Sequence, residues 1–195
     1  MPLRERPPSF RRDRENRLCQ TLSCFIDLLG LGNALPELDR IIDERMDRSQ
    51  ATPLIQSSLG AIRTMRQLVE DILLDFRDAD SPLDLPADAR DIWKSSREGD
   101  TRLYWFSDCG LINILVRKNT LLANYTDCLH LFASLARCTV VLAGHGQLLR
   151  GGIEMGTALE DGDEEVLGSG LAHAYKLECK IAKHPRIAIG PRVLA

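Results

Sequence analysis

Hydrophobic runs with the two-residue period of strands occur first singly and then in pairs along this chain, and apolar stripes with the period of helices stand between them. Residues 18–27 read as a buried first strand. The turn Gly30-Leu31-Gly32-Asn33 then leads toward a short helix around Glu37–Met46. Ile62, Met65, Val69, Ile72 and Phe76 recur at spacings of three and four, one apolar stripe of a long helix. That stripe suits a core face, and its heptad-like spacing also suits a helix-to-helix seam with a partner. Leu103–Val116 reads as a β-hairpin bent at Asp108-Cys109-Gly110. Leu121, Tyr125, Cys128, Phe132 and Leu135 make a second helical stripe, which Gly144-His145-Gly146 ends. Leu148–Leu159 and Glu164–Leu167 form a further hairpin around Glu160-Asp161-Gly162-Asp163. Ser169 is expected to cap a helix bearing Leu171, Ala174, Leu177 and Ile181, and Arg186–Ile189 to form the last strand.

Helices that alternate with hairpins predict an α+β fold, helices packed on an antiparallel or mixed sheet in the ferredoxin-like style. At 195 residues and 44% hydrophobic, the chain suits one core, a single domain over 18–195. The first 17 residues carry six Arg against three acids and three prolines, which predicts a loosely attached basic arm. Asp78–Thr101, interrupted by Pro82 and Pro86, reads as a surface connection within an insertion over about 53–101.

A net charge of −3 provides no general field for nucleic acid. No run is expected to reach the roughly 18 to 20 apolar residues of a membrane span, and no signal-peptide layout opens the chain, so a cytoplasmic protein without a membrane partner is expected. Six cysteines lie mostly inside apolar patterns and read as buried free thiols. A zinc site from Cys19 and Cys24 with His130 or His145 lacks the usual paired spacing. The acids at 160–163 lack the flanking helices of a calcium-binding hand and read as a solvated turn.

Two aspartates stand apart. Ser23-Cys24-Phe25-Ile26-Asp27 and Leu103-Tyr104-Trp105-Phe106-Ser107-Asp108 each end an apolar run on an acid beside a glycine-containing turn. An isolated carboxylate resists desolvation, so two such acids suggest a shared metal. Gly30 and Gly32 before a helix can present backbone N–H groups to phosphate, or simply make a strand-to-helix turn.

Phe25-Ile26-Asp27-Leu28-Leu29-Gly30, Phe106-Ser107-Asp108, Leu149-Arg150-Gly151-Gly152-Ile153-Glu154-Met155-Gly156, Gly168-Ser169-Gly170-Leu171-Ala172-His173-Ala174-Tyr175-Lys176-Leu177-Glu178 and His184-Pro185-Arg186-Ile187 occur in this order. Together they resemble the class III nucleotidyl cyclase domain, most of all the compact pyrimidine cyclases of bacterial Pycsar anti-phage systems. The resemblance spans about residues 18–190.

The resemblance implies conversion of a nucleoside triphosphate to its 3′,5′-cyclic nucleotide and pyrophosphate by two divalent ions, Mg²⁺ or Mn²⁺. Asp27 and Asp108 match the metal aspartates, and the Leu28 carbonyl is expected to add a backbone ligand. Arg150 matches an arginine that contacts the terminal phosphates, although a strand-end salt bridge is the plainer role. Tyr104 stands where adenylyl cyclases carry a base-reading lysine, and Glu165 falls near the acidic base-reading position. The tyrosine favours UTP, or CTP, over a purine, unless it is a hairpin core residue. Lys176 replaces the transition-state arginine and Ala172 the ribose-orienting asparagine. The separation of the aspartates is roughly twice that of common family members, the excess falling within 53–101. A homodimer with composite sites and a separate effector for the cyclic product are further implications. A degenerate cyclase fold that only binds nucleotide or protein, and an unrelated module docking through its Ile62–Phe76 helix, are the competing readings.

Overall fold

The computed structural model describes residues 16–30, 39, 48–78, 100–116, 121–161 and 165–194. In chain order the elements are β1 (Asn16–Leu29), α1 (Arg48–Asp78), β2 (Thr101–Phe106), β3 (Cys109–Leu115), α2 (Leu121–Gly144), β4 (Leu148–Asp161), β5 (Glu165–Leu167), α3 (Ser169–Leu177) and β6 (Ile187–Ile189). A π-helical turn at Glu178–Ala182 extends α3, and a 3₁₀ turn at Pro191–Val193 follows β6.

The strands make one mixed sheet in the order β2-β3-β1-β4-β5, with β6 pairing β4. Every pairing is antiparallel except β4 with β6. The run β1-α1-β2-β3-α2-β4 with spatial order β2-β3-β1-β4 is the split βαβ arrangement, which places β1 at the centre. The α+β class therefore holds.

Strand alternation assigns the two faces of the sheet. Leu22, Cys24, Ile26 and Leu28 of β1 join Ile112, Ile114, Leu149 and Ile153 in one core with Met65, Val69, Ile72 and Leu73 of α1 and Leu131, Leu135, Cys138 and Leu142 of α2. The Ile62–Phe76 stripe, as far as it is described, thus serves the core of its own chain through Met65, Val69 and Ile72. Full burial of each such side chain contributes roughly 1.5–3 kcal/mol. The opposite face carries Thr21, Ser23, Phe25 and Asp27, and α3 lies across it. Close approach of α3 depends on Gly152 and Gly156, where an added Cβ would come 2.7 Å from Leu177 Cβ and 2.6 Å from Gly170 Cα.

Several boundaries differ from the sequence reading. The first strand begins at Asn16, inside the arm expected to end at 17, and runs to Leu29 because β4 pairs with it along its whole length. Helix α1 begins at Arg48, well before the first stripe residue. Ser169 does not cap α3: Gly168 holds the cap position, and the Ser169 hydroxyl accepts from Thr157 N–H at 3.1 Å. The short helix expected at 37–46 lies outside the described residues except for Asp39, which is helical, and so does the connection at 79–99.

All six cysteines are free; Cys24 and Cys138 are buried, Cys19, Cys109 and Cys128 half-buried, and Cys179 exposed. Burial holds the Cys24 thiol far above its ordinary range and pushes Cys138 up to about 11. Against expectation, one helical stretch, Asn124–Gly144, is long and apolar enough by length and composition to cross a membrane. Its Leu131, Leu135, Cys138 and Leu142 are buried against the sheet, which is how a core helix meets the same criterion.

Candidate metal centre at the strand ends

The register brings the two strand-end aspartates together. Asp27 of β1 lies opposite Cys109 of β3 on one side and Arg150 of β4 on the other. Ser107-Asp108 forms the two-residue tip between β2 and β3, with Ser107 at φ 53, a left-handed conformation uncommon for serine. Cys109 and Gly110, expected in the bend, already belong to β3. The Leu28 N–H donates to the Asp108 carbonyl at 3.3 Å and ties the tip to the end of β1.

Helix α1 holds the hairpin from the other face. Arg66 donates to the Ser107 carbonyl and stacks over the Trp105 ring, 5.4 Å from its centroid. Trp105 Nε1 donates to Glu70 at 2.8 Å. The indole lies over Gly110, where a Cβ would sit 2.5 Å from the nearest ring carbon, so a side chain there would lift it.

Asp27, Asp108 and Cys109 each offer a ligand atom, all within 4.8 Å of one another, the group of this kind among the described residues. The Cys109 thiol donates to Asp27 Oδ1 at 3.3 Å and lies 3.7 Å from Asp108 Oδ1. Burial raises the Asp27 carboxyl above its ordinary value of 3.8; Glu178 and Asp108 push it the same way, while the Cys109 thiol and Arg150 oppose them. Burial first, then the adjacent carboxylates, hold Cys109 protonated as a donor. The two carboxylates offer hard oxygen donors of the kind Mg²⁺ and Mn²⁺ take, and the protonated thiol is hydrogen-bonded to Asp27. Cys19 and Cys24, which lack zinc spacing in the sequence, do not converge in this way either: Cys24 is in the helical-side core, whereas Cys19 donates to the Ala158 carbonyl.

Arg150 donates through Nη2 to Asp27 Oδ2 at 3.0 Å and through Nε to Glu178 Oε1. The strand-end salt bridge is thus formed, and it is formed on the metal candidate itself. Glu178 was missed by sequence reasoning. Its signal was present: a glutamate on the stripe Leu171, Ala174, Glu178, Ile181, where an apolar residue would ordinarily stand.

The remaining residues are spread more widely. Gly30 follows β1 at φ +100, a turn that favours glycine, whereas Gly32 lies outside the described residues. Tyr104 shares the Asp27 face one step beyond Cys109 and is buried, 6% exposed, as a core residue would be. Glu165 opens β5, so it and Tyr104 occupy strands at opposite edges of the sheet. Lys176 is exposed on α3 with Ala172 one turn before it. Tyr175, beside them, sets its ring edge-on to Phe25 at 5.3 Å.

Comparison with protein-family models, with curated proteins and with solved structures returns no match.

Proposed function

We propose that this chain is a nucleotidyl cyclase of the class III kind, converting a pyrimidine nucleoside triphosphate, UTP ahead of CTP, to its 3′,5′-cyclic nucleotide and pyrophosphate. The observation that carries the reading is the convergence of Asp27 and Asp108 beside Arg150, from strand ends far apart in sequence. Asp27 and Asp108, with the Leu28 backbone, would hold two Mg²⁺ or Mn²⁺ ions. Such ions stabilise the attacking and departing oxygens of the phosphoryl group together. Arg150 provides a guanidinium for the terminal phosphates, and Gly30 allows the backbone to turn beside them.

Ala172 and Lys176 lie one turn apart on the exposed side of α3. That exposure favours a homodimer in which each chain offers Lys176 to the aspartates of the other. Lys176 would supply a point charge to the α-phosphate and Glu165 would face the base, while the burial of Tyr104 favours its packing role in the hairpin. The product would act on a separate effector in anti-phage defence, and the reaction would belong in the cytoplasm.

Incubating the protein with Mn²⁺ and each of the four nucleoside triphosphates, then separating products, tests this. Cyclic UMP or cyclic CMP is expected. No cyclic product from any of the four, with a folded protein, contradicts it. A binding protein without turnover is the second reading, favoured by Arg150 being engaged by Asp27 and Glu178 and by the Lys176 and Ala172 replacements. It expects nucleotide binding that depends on Asp27 while every triphosphate stays intact.

A further inference from the structure

The Arg150 guanidinium occupies the carboxylate oxygen that a cation at Asp27 would use. Its two attachments are unequal. Glu178 has a side chain only 2% exposed, against 23% for Arg150 and 17% for Asp27. It opens the π-helical turn, packs where Gly152 leaves room for its backbone, and accepts the Cys179 thiol on Oε2 at 2.9 Å. An inserted π turn is a frequent means of aiming a functional side chain. Asp27, in contrast, ends its strand with Oδ1 already bonded to Cys109 and Oδ2 to Arg150. The Nε bond to Glu178 holds the guanidinium at its root, whereas Nη2 reaches the less buried Asp27.

We propose that Glu178 is a positioning residue that makes Arg150 exchange between Asp27 and an incoming polyphosphate. A divalent cation and Arg150 compete for Asp27 Oδ2, because both are positive and both need the same lone pairs. A polyphosphate draws the guanidinium away and opens that oxygen to the cation. Cation and polyphosphate therefore bind as a pair, each raising the affinity of the other by the same factor. The inference rests on the metal reading of Asp27 and Asp108 and requires neither a base nor cyclisation.

Thermal melts of the full chain with MnCl₂ alone, inorganic tripolyphosphate alone and both together test it. In the wild type, the shift with both is expected to exceed the sum of the separate shifts. In Arg150→Gln, Mn²⁺ alone should shift the melt further than in wild type, and the excess from tripolyphosphate should vanish. In Glu178→Gln, Arg150 keeps Asp27 as its one full counter-charge, so Mn²⁺ alone should shift the melt less than in wild type. Where Arg150→Gln fails to fold because Glu178 is left buried and unpaired, the double variant Arg150→Gln/Glu178→Gln carries the same expectation. An Arg150→Gln protein whose Mn²⁺ shift and tripolyphosphate excess both match wild type overturns the exchange. An unchanged Mn²⁺ response in folded Glu178→Gln overturns the positioning role. Because tripolyphosphate has no sugar, a chain that never cyclises a nucleotide still gives these answers, whereas no Mn²⁺ response in any variant contradicts the metal reading itself.

Discussion

Asp27 keeps a carboxylate at the end of a buried strand by surrounding it with a thiol donor and a guanidinium, and even so its carboxyl stays above 3.8. The folded chain therefore holds that proton more tightly than the unfolded chain does. Its contribution to stability is fully present below 3.8 and is lost as pH rises through the raised folded value. A divalent cation bound at the proposed site would take the proton's place, so the melting shift produced by Mn²⁺ should grow with pH across that interval and level off above it. An equal shift at about pH 4 and about pH 7 would contradict this. Asn113 presents a different buried polar group: it is 1% exposed and neither amide atom is hydrogen-bonded. Asn113→Val removes an unpaired amide from a strand and should raise stability by about 1 kcal/mol in chemical denaturation. A loss of stability would count against an unpaired amide. At this scale the aspartates were legible because an acid closing an apolar run conflicts with its surroundings. Glu178 and Cys109 were less so, because their roles depend on partners far away in sequence that only the register supplies.

The β2–β3 hairpin owes its position to α1, which clamps Trp105 and the Ser107 carbonyl through Glu70 and Arg66. Arg66→Ala touches no proposed ligand, yet it frees the tip that carries Asp108. It should weaken Mn²⁺ binding about tenfold or more, as loss of an outer support typically does. A folded Arg66→Ala protein with wild-type Mn²⁺ affinity would show that β1 alone fixes Asp108. Gly152→Ala would force a Cβ against Leu177 and the Glu178 backbone, 2.7 and 2.8 Å away. The expected cost is about 1–3 kcal/mol in stability, with a parallel loss of the Mn²⁺ and tripolyphosphate response as α3 is displaced. Wild-type melting would mean that α3 shifts without strain. Hairpins and helices were readable from period and turn residues. The early start of α1 was not, since Arg48–Leu59 lacks a continuous apolar stripe, and neither was the π turn, which leaves no compositional mark.

The whole molecule divides its chemistry between the two faces of one sheet: α1 and α2 bury the apolar core, while α3 and the strand ends carry Asp27, Arg150 and Glu178. The element order was sufficient to predict an α+β architecture, because helices between hairpins have few ways to cover such a sheet. It did not reveal that β4 pairs with β1 over 14 residues, the register that sets Arg150 opposite Asp27. Lys176 is exposed on α3. The most direct measurement is Mn²⁺-dependent pyrophosphate release from UTP by the wild type, Asp27→Ala and Asp108→Ala, with folding checked by melting. Release by the wild type alone is expected, each single substitution abolishing it, since two carboxylates holding the proposed metal centre together would act as a unit. Undiminished release by either folded variant would contradict a shared catalytic centre at the strand ends.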